Sequence, residues 1–452
     1  MSAPCDKSEQ RELLSDLLKF LRDSPTPFHA VANLVALLQR NGFQTINESD
    51  AWTLQPGGRY IVTRNDSSLL AFVLGSDDVV TSGIHLAGAH TDSPCLKIKP
   101  NPELQRSGYF QLGVEVYGGV LLGPWFDRDL SLAGRVSYAT SAGQLKSALI
   151  DFKKPIAVIP SLAIHLDRDV NSSRSINAQT QLPPVLMCSE APFISTGEKG
   201  EPDFRALLLE QLRAQGEVAD ACDILAYEIS CYDTQPPVLL GVAEEFITSA
   251  RIDNLLSCFV GVRALLNANG AKANGKRTAM MVCSDHEEVG SASAAGAQGT
   301  LLQTVLRRIA GSHENHSHEN YARMIDKSLL ISCDNAHGVH PNFADKHDAN
   351  HGPLLNQGPV IKINANQRYA TNSETAAYFR QLCAQVDVPV QSFVVRSDMA
   401  CGSTIGPIVA TETGINTVDV GVPQWAMHSI RETAGSRDCE YLFRVLQLFF
   451  NQ

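Results

Sequence analysis

Glu287 and Glu288 stand side by side behind an apolar run, in Met280-Met281-Val282-Cys283-Ser284-Asp285-His286-Glu287-Glu288-Val289-Gly290-Ser291. At the tip of a strand, successive side chains point to opposite faces, so one carboxylate can bind a metal while its unligated neighbour handles protons. Folding does not need such a pair, because forcing like charges together costs free energy. Taken alone, the pair also reads as an acidic strand-to-loop corner in water.

Other strand ends carry residues of matching chemistry. His90-Thr91-Asp92 follows the apolar segment Ile84 to Ala89, and Arg251-Ile252-Asp253-Asn254 follows Phe246 to Ala250. Asp334-Asn335 follows Leu329 to Cys333, and His428 comes shortly after Thr417 to Val422. In an α/β sheet, ligands collect at the carboxyl ends of strands. His90, Asp253, Glu288, Asp334 and His428 form a mixed nitrogen and oxygen set suited to a borderline divalent cation such as Zn²⁺. Such a set can serve two metals if one carboxylate bridges, and Asp253 is the bridging candidate. His90 and Asp334 would complete one metal, Glu288 and His428 the other. Asp92 can accept the proton on the His90 ring nitrogen that faces away from metal. Glu287 is left uncoordinated, placed to take a proton from a water shared by the metals. Each residue also has a plainer reading. A histidine after a strand is often a core or surface residue, and Asp253 and Asp334 could each cap a following helix.

These strand ends must be held by a larger framework. Leu13, Leu14, Leu17, Leu18 and Leu21 recur at helical spacing, Ser24-Pro25-Thr26-Pro27 breaks the pattern, and a second helix is expected from about Phe28 to Arg40. Strands are expected over Leu69 to Leu74 and Ile84 to Ala89. Residues 97–238 are read as an inserted β-rich domain, with short strands over Phe110 to Val120, Gly134 to Ala139, Ala157 to Ile159 and Ala163 to Leu166, and loop from about 170 to 205. Residues 1–96 and 239–452 then form one discontinuous catalytic domain. In it, helices over Leu255 to Leu266, Leu301 to Ile309, Glu374 to Val386 and Glu440 to Phe450 alternate with strands. This alternation predicts an α/β fold with a mixed, mostly parallel sheet between helices. Gly311 to Asn320, with His313, His316 and His318, reads as a polar loop rather than a metal site.

With 452 residues, two or three domains are expected, and a composition 44% hydrophobic and 19% charged describes a globular protein. The formal charge of -11 and the lack of a basic run argue against nucleic acid as a partner. No apolar stretch is long enough for a membrane span, and the N-terminal residues do not resemble a signal peptide. The 11 cysteines lack C-x-x-C spacing, and Cys258, Cys283, Cys333 and Cys383 lie in apolar runs, so a reducing cytoplasm is expected.

Six motifs carry a resemblance. They are Ala87-Gly88-Ala89-His90-Thr91-Asp92-Ser93-Pro94, Trp125-Phe126-Asp127-Arg128-Asp129-Leu130, Asp285 to Ser291, His337-Gly338-Val339-His340-Pro341-Asn342, Asn366-Gln367-Arg368-Tyr369-Ala370-Thr371 and Met427-His428-Ser429-Ile430-Arg431-Glu432. Together they closely resemble the aspartyl aminopeptidase family, cocatalytic metallo-aminopeptidases of the zinc-exopeptidase type. From Pro25 onward, nearly the whole chain shares the likeness. It implies a catalytic α/β sandwich interrupted by a β-rich dimerisation domain, and a homo-oligomer, a tetrahedral dodecamer built from dimers. The family's pattern implies His90, Asp253, Glu288, Asp334 and His428 as ligands of two divalent metal ions, Zn²⁺ with Co²⁺ or Mn²⁺ as alternatives. It implies Glu287 as acid/base and Asp92 as its supporting carboxylate.

Two substrate-binding residues follow from the same resemblance. Lys362, in Val360-Ile361-Lys362-Ile363, would face an acidic substrate side chain, although an ordinary edge-strand lysine reads the same. His165, in Ile164-His165-Leu166, would reach a neighbouring subunit's site, or be a half-buried strand histidine. His286 stands where several relatives carry Asn. The expected activity is release of N-terminal residues, with preference for Asp or Glu, from peptides with a free amine. The alternatives are a broad-specificity neutral aminopeptidase, a carboxypeptidase or N-acyl amino-acid deacylase with the same two-metal centre, and a non-enzymatic shell or cargo protein.

Overall fold

The computed structural model describes residues 7–189, 202–216, 218, 220–268, 277–311 and 317–452. They form two compact units. The first comprises residues up to Ser93, Pro237–Met427 and Glu432–Gln452, and the second comprises Pro94–Pro236 and His428–Arg431.

The first unit is built on a nine-stranded mixed sheet. Its spatial order is Gln44–Thr45, Arg59–Arg64, Ser68–Val73, Thr278–Ser284, Ile84–His90, Leu329–Cys333, Asn416–Gly421, Val360–Lys362 and Gln391–Phe393. The four strands from Thr278–Ser284 to Asn416–Gly421 run parallel, so their carboxyl ends lie along one edge. Alternate side chains serve opposite faces. Ala87, Ala89, Met281, Cys283, Ile331 and Cys333 pack with helices Lys7–Asp23, Pro27–Arg40, Ile252–Leu266, Ser373–Gln385 and Ser436–Phe450. Ile84, Leu86, Met280, Val282 and Leu330 pack with helices Leu301–Ala310 and His318–Lys327. The result is a sheet covered on both faces. Helix Pro27–Arg40 starts on Pro27, whose fixed φ suits a first helical position, and buries Phe28, Val31, Leu34 and Leu38 along one stripe.

A smaller five-stranded sheet belongs to the same unit, in the order Val238–Leu240, Phe246–Ser249, Glu432–Gly435, Pro423–Trp425 and Ala336–His337. The strand before Asp253 therefore lies in this second sheet, not among the central parallel strands.

The second unit is a six-stranded sheet in which Tyr109–Tyr117 pairs antiparallel with Cys95–Arg106, and Ala221–Asp233 antiparallel with Leu130–Thr140. Helix Phe204–Ala214 seals its core through Phe204, Leu208 and Leu212. The segment Ala163 to Leu166 is exposed turn rather than strand, since its backbone finds no partner strand. In the stretch expected to be loop, Ala178–Gln181 is helical and Val185–Cys188 is a strand, while residues 190–201 lie outside the described residues. The polar reading of Gly311 to Asn320 is corrected at its end. His318 opens a helix capped by Ser317, whose hydroxyl accepts from the Asn320 amide, while His313 and His316 lie outside the described residues. Among the described residues no helix is long and apolar enough to cross a membrane.

His85 is buried on the strand Ile84–His90 and stacks on Phe449, with ring centroids 4.3 Å apart. Its Nε2 faces Arg277 Nη1 at 2.5 Å, which requires a free lone pair there, so Nδ1 carries the proton and donates to the Phe449 carbonyl at 2.7 Å. Burial and then the Arg277 charge lower the imidazole from 6.5 to about 4. The unfolded chain takes up a proton that the folded chain refuses, so His85 costs stability as pH falls from 6.5 toward 4. Between pH 7 and pH 5 this amounts to about 2 kcal/mol. Urea titrations at the two pH values should show a smaller stability difference in His85→Gln than in the wild type.

Candidate metal centre

His90 ends one of the central parallel strands, and Asp334 follows the next one directly. His90 Nε2 lies 3.4 Å from Asp253 Oδ1 and 3.6 Å from Asp334 Oδ1. Ligand atoms of His90, Asp253 and Glu288 lie within 4.8 Å of one another. Asp253 is thus close to both His90 and Glu288. It sits in the irregular first turn of helix Ile252–Leu266, behind Arg251 in the left-handed region at φ 61. The Arg251 guanidinium steadies that turn by donating to the carbonyls of Leu21 and Ser24, each at 3.1 Å. The Asp253 carbonyl accepts from Ser93 Oγ at 2.6 Å, and its N–H donates to Glu432 Oε2 at 3.0 Å. Neither aspartate acts as a helix cap. Asp334 leads into the strand Ala336–His337, and the Asp253 carboxylate is turned to His90. A Cβ at Gly421 would overlap the Asp334 carbonyl, so glycine alone lets that strand pass.

The glutamate pair is placed differently from the expectation. The strand stops at Ser284, His286 adopts φ 62, and Glu287 to Val289 form a 3₁₀ turn, so the pair is not splayed across a pleat. Asp92 holds this turn. Its Oδ1 accepts from the Glu287 N–H and its Oδ2 from the Glu288 N–H, both at 3.1 Å. The nearest acceptor for His90 Nδ1 is the carbonyl of Asp92 at 3.0 Å, with the carboxylate at 3.4 Å. Asp92 therefore orients the ring chiefly through its backbone and the glutamates through its side chain.

Burial opposes charge on the His90 ring, yet Asp253, Asp334 and Asp92 outweigh it and hold the imidazole well above its ordinary range. Burial would also raise Asp334, but the Lys362 ammonium and His90 pull it well below the carboxylate range. Burial pushes Glu287 up to about 8 and holds Glu288 well above its ordinary range, with the neighbouring aspartates adding to it against the pull of His90. So many buried carboxylates around one imidazole form a centre that a divalent cation would relieve. One nitrogen among several oxygens is a donor set that zinc accepts.

Lys362 is 3% exposed, with Nζ 3.6 Å from Asp334 Oδ2. Its strand is flanked on both sides, so it is not an edge lysine. His428 and His165 belong to the second unit. There His428, at φ 67, has Nδ1 3.1 Å from the Gly119 carbonyl, and His165 is exposed in a turn. Sequence reasoning did not single out Glu432, Gln424, Asn335 or Asn254, whose Nδ2 donates to the Cys333 carbonyl at 2.7 Å. Glu432 lies inside a quoted motif, but no spacing rule marks a buried acceptor for a distant backbone N–H.

Residues 20–450 match the family model described as aminopeptidase I zinc metalloprotease (M18). The chain belongs to the M18 peptidase family. This M18 chain is 58% identical over 440 residues to a probable M18 family aminopeptidase 2 of Pseudomonas savastanoi pv. phaseolicola, covering 97% of this chain and 98% of the relative. Among solved structures, it superposes with TM-score 0.94 and 38% identity on a chain in a cryo-EM structure of the Ape4 and Nbr1 complex, covering 98% of this chain and 86% of that one. It superposes with TM-score 0.84 and 27% identity on the S. cerevisiae mApe1 dodecamer, covering 98% and 97%. The M18 protein is a zinc metallo-aminopeptidase, a hydrolase of peptide bonds, on a mixed α/β fold of the zinc-exopeptidase type.

Asp92→Asn keeps the shape of the side chain but turns one acceptor into a donor facing a backbone N–H. Zinc affinity, read by competition with a chelator, should fall ~10–100-fold, with kcat reduced as well. Wild-type affinity in this variant would show that the Glu287 turn stands without Asp92.

Proposed function

We propose that this aminopeptidase removes residues from peptides with a free N-terminus, with His90, Asp253, Glu288, Asp334 and His428 as ligands of two divalent ions. The observation that carries the reading is the convergence of His90, Asp253 and Glu288, with Asp334 beside His90. Bound zinc would supply Lewis acidity, lowering the pKa of a coordinated water and polarising a carbonyl. Asp253, close to both His90 and Glu288, is the candidate bridge. Glu287 takes the proton from the attacking water and passes it to the leaving amine. Burial, with Asp334 and Asp253, raises its carboxyl, and cations held by those aspartates would draw it back toward the ionised form that accepts a proton. Asp92, through the two amides it accepts, keeps Glu287 aimed while the proton moves.

For the substrate's first residue we propose Asp or Glu, with Lys362 supplying a charge-assisted contact. A cavity of about 270 Å³ supports this, lined by Lys346, Arg396, His337, His340 and His347. It also contains Tyr369, whose ring lies 5.4 Å from Lys362 Nζ. A second reading, broad neutral specificity, is favoured by the engagement of Lys362 with Asp334 and by Phe393, Met399 and Trp425 in the same cavity. We further propose a homo-oligomer, a tetrahedral dodecamer with the second unit at its dimer contacts and His165 reaching a neighbouring subunit. The dodecameric yeast relative supports it. A reducing cytoplasm suits the unlinked, buried Cys258, Cys283 and Cys333.

Glu287→Gln should retain its zinc while kcat falls ~10²–10⁴-fold. Near-normal turnover in the metallated variant would take Glu287 out of this role. Removing metal with a chelator should abolish hydrolysis, and Zn²⁺ or Co²⁺ should restore it. Rates on Asp-, Glu-, Leu- and Ala-anilides separate the two specificities. Acidic preference should be lost in Lys362→Ala, and a Leu preference surviving that change would establish the neutral reading.

A further inference from the structure

We propose that Glu432, acting through Gln424 and Asn335, is a positioning residue that sets the spacing of the Asp253 and Asp334 carboxylates for metal. The inference rests on the ligand assignment proposed above.

Glu432 begins the strand Glu432–Gly435 and is 2% exposed. Burying a carboxylate in a sheet costs free energy that an apolar residue would not incur, so its partners must account for it. One oxygen, Oε2, accepts from the N–H of Asp253 at 3.0 Å. The other, Oε1, is 3.4 Å from Gln424 Nε2. Gln424 Oε1 in turn accepts from Asn335 Nδ2 at 2.7 Å. Gln424 and Asn335 are buried as well. Asn335 directly follows Asp334, whose N–H is already given to the Val420 carbonyl at 2.9 Å. A chain of side chains thus runs from the backbone of one proposed ligand to the residue beside another, fixing segments that come from different sheets.

A simple brace for the start of helix Ile252–Leu266 would use the same contact to Asp253. It would not need the second oxygen, nor the relay through Gln424 to Asn335. The two accounts differ in what they predict for metal. A brace affects stability. A spacing device affects how tightly and in what geometry the carboxylates hold a cation, because ligand affinity depends on such supporting contacts.

Glu432→Gln is nearly isosteric but presents a donor to either the Asp253 N–H or Gln424 Nε2. The full-length variant should fold, as read by circular dichroism and thermal melting. Its Zn²⁺ affinity, measured by chelator competition, should fall ~10–100-fold, and the visible absorption of the Co²⁺-substituted protein should change in position or intensity. Saturating zinc should recover much of kcat. A folded variant with wild-type zinc affinity and an unchanged Co²⁺ spectrum overturns the proposal and leaves Glu432 as a brace. Should Glu432→Gln not fold, Gln424→Met cuts the relay while sparing the Asp253 contact. Weakened zinc binding there supports the proposal, and unchanged binding overturns it. Failure of the wild-type protein itself to bind Zn²⁺ would refute the ligand assignment, and this inference with it.

Discussion

The mutual repulsion of buried carboxylates around His90 is the constraint to which the rest of this structure answers. Asp253 and Asp334 both approach one imidazole nitrogen, and a ligand oxygen of Glu288 lies within 4.8 Å of it. Negative groups held this close in a dry interior are unfavourable unless positive charge is added, and His90 and Lys362 supply part of it. A divalent cation supplies more, and that explains why a folded chain would keep such an arrangement.

Two of the left-handed backbone positions fall at this place. Arg251 at φ 61 and His286 at φ 62 are both left-handed, conformations that non-glycine residues adopt at a cost. Each has a visible compensation. Arg251 donates its guanidinium to the carbonyls of Leu21 and Ser24 at the end of the distant helix Lys7–Asp23, and the turn that follows His286 is clasped by the two oxygens of Asp92. Ser68 Oγ and the Asp285 carboxylate secure the approach to that turn through the backbone N–H groups of Asp285 and His286. The carboxylates are thus positioned by backbone that is itself tied down, which limits how far each can relax away from its neighbours.

The α/β character was legible in the sequence because its signals are local. Helices such as Leu301–Ala310 announce themselves by apolar spacing, and apolar runs such as Leu329–Cys333 by length and flanking residues. Less was legible where the outcome depends on distant partners. Phe246–Ser249 reads as a strand of the main sheet, but a short strand carries no mark of the sheet it will join. His318–Lys327 was hidden by a polar, histidine-rich start, since Met324 and Ile325 are its buried residues and lie near its end. The ligand candidates could be proposed from residue type at strand ends. The contacts that orient them could not, because Glu432 meets Asp253 across 179 positions of sequence.

The alternation of side chains along Ile84–His90 has a consequence for how faithfully the centre assembles. Ile84 and Leu86 answer to one layer of helices, and Ala87 and Ala89 to the other. Sliding this strand by one position against its neighbours would thrust bulky groups where alanines belong and leave a hollow opposite. Hydrocarbon shape therefore proofreads the chain: a misaligned strand is rejected for its fit long before the chemistry at its tip is put to use.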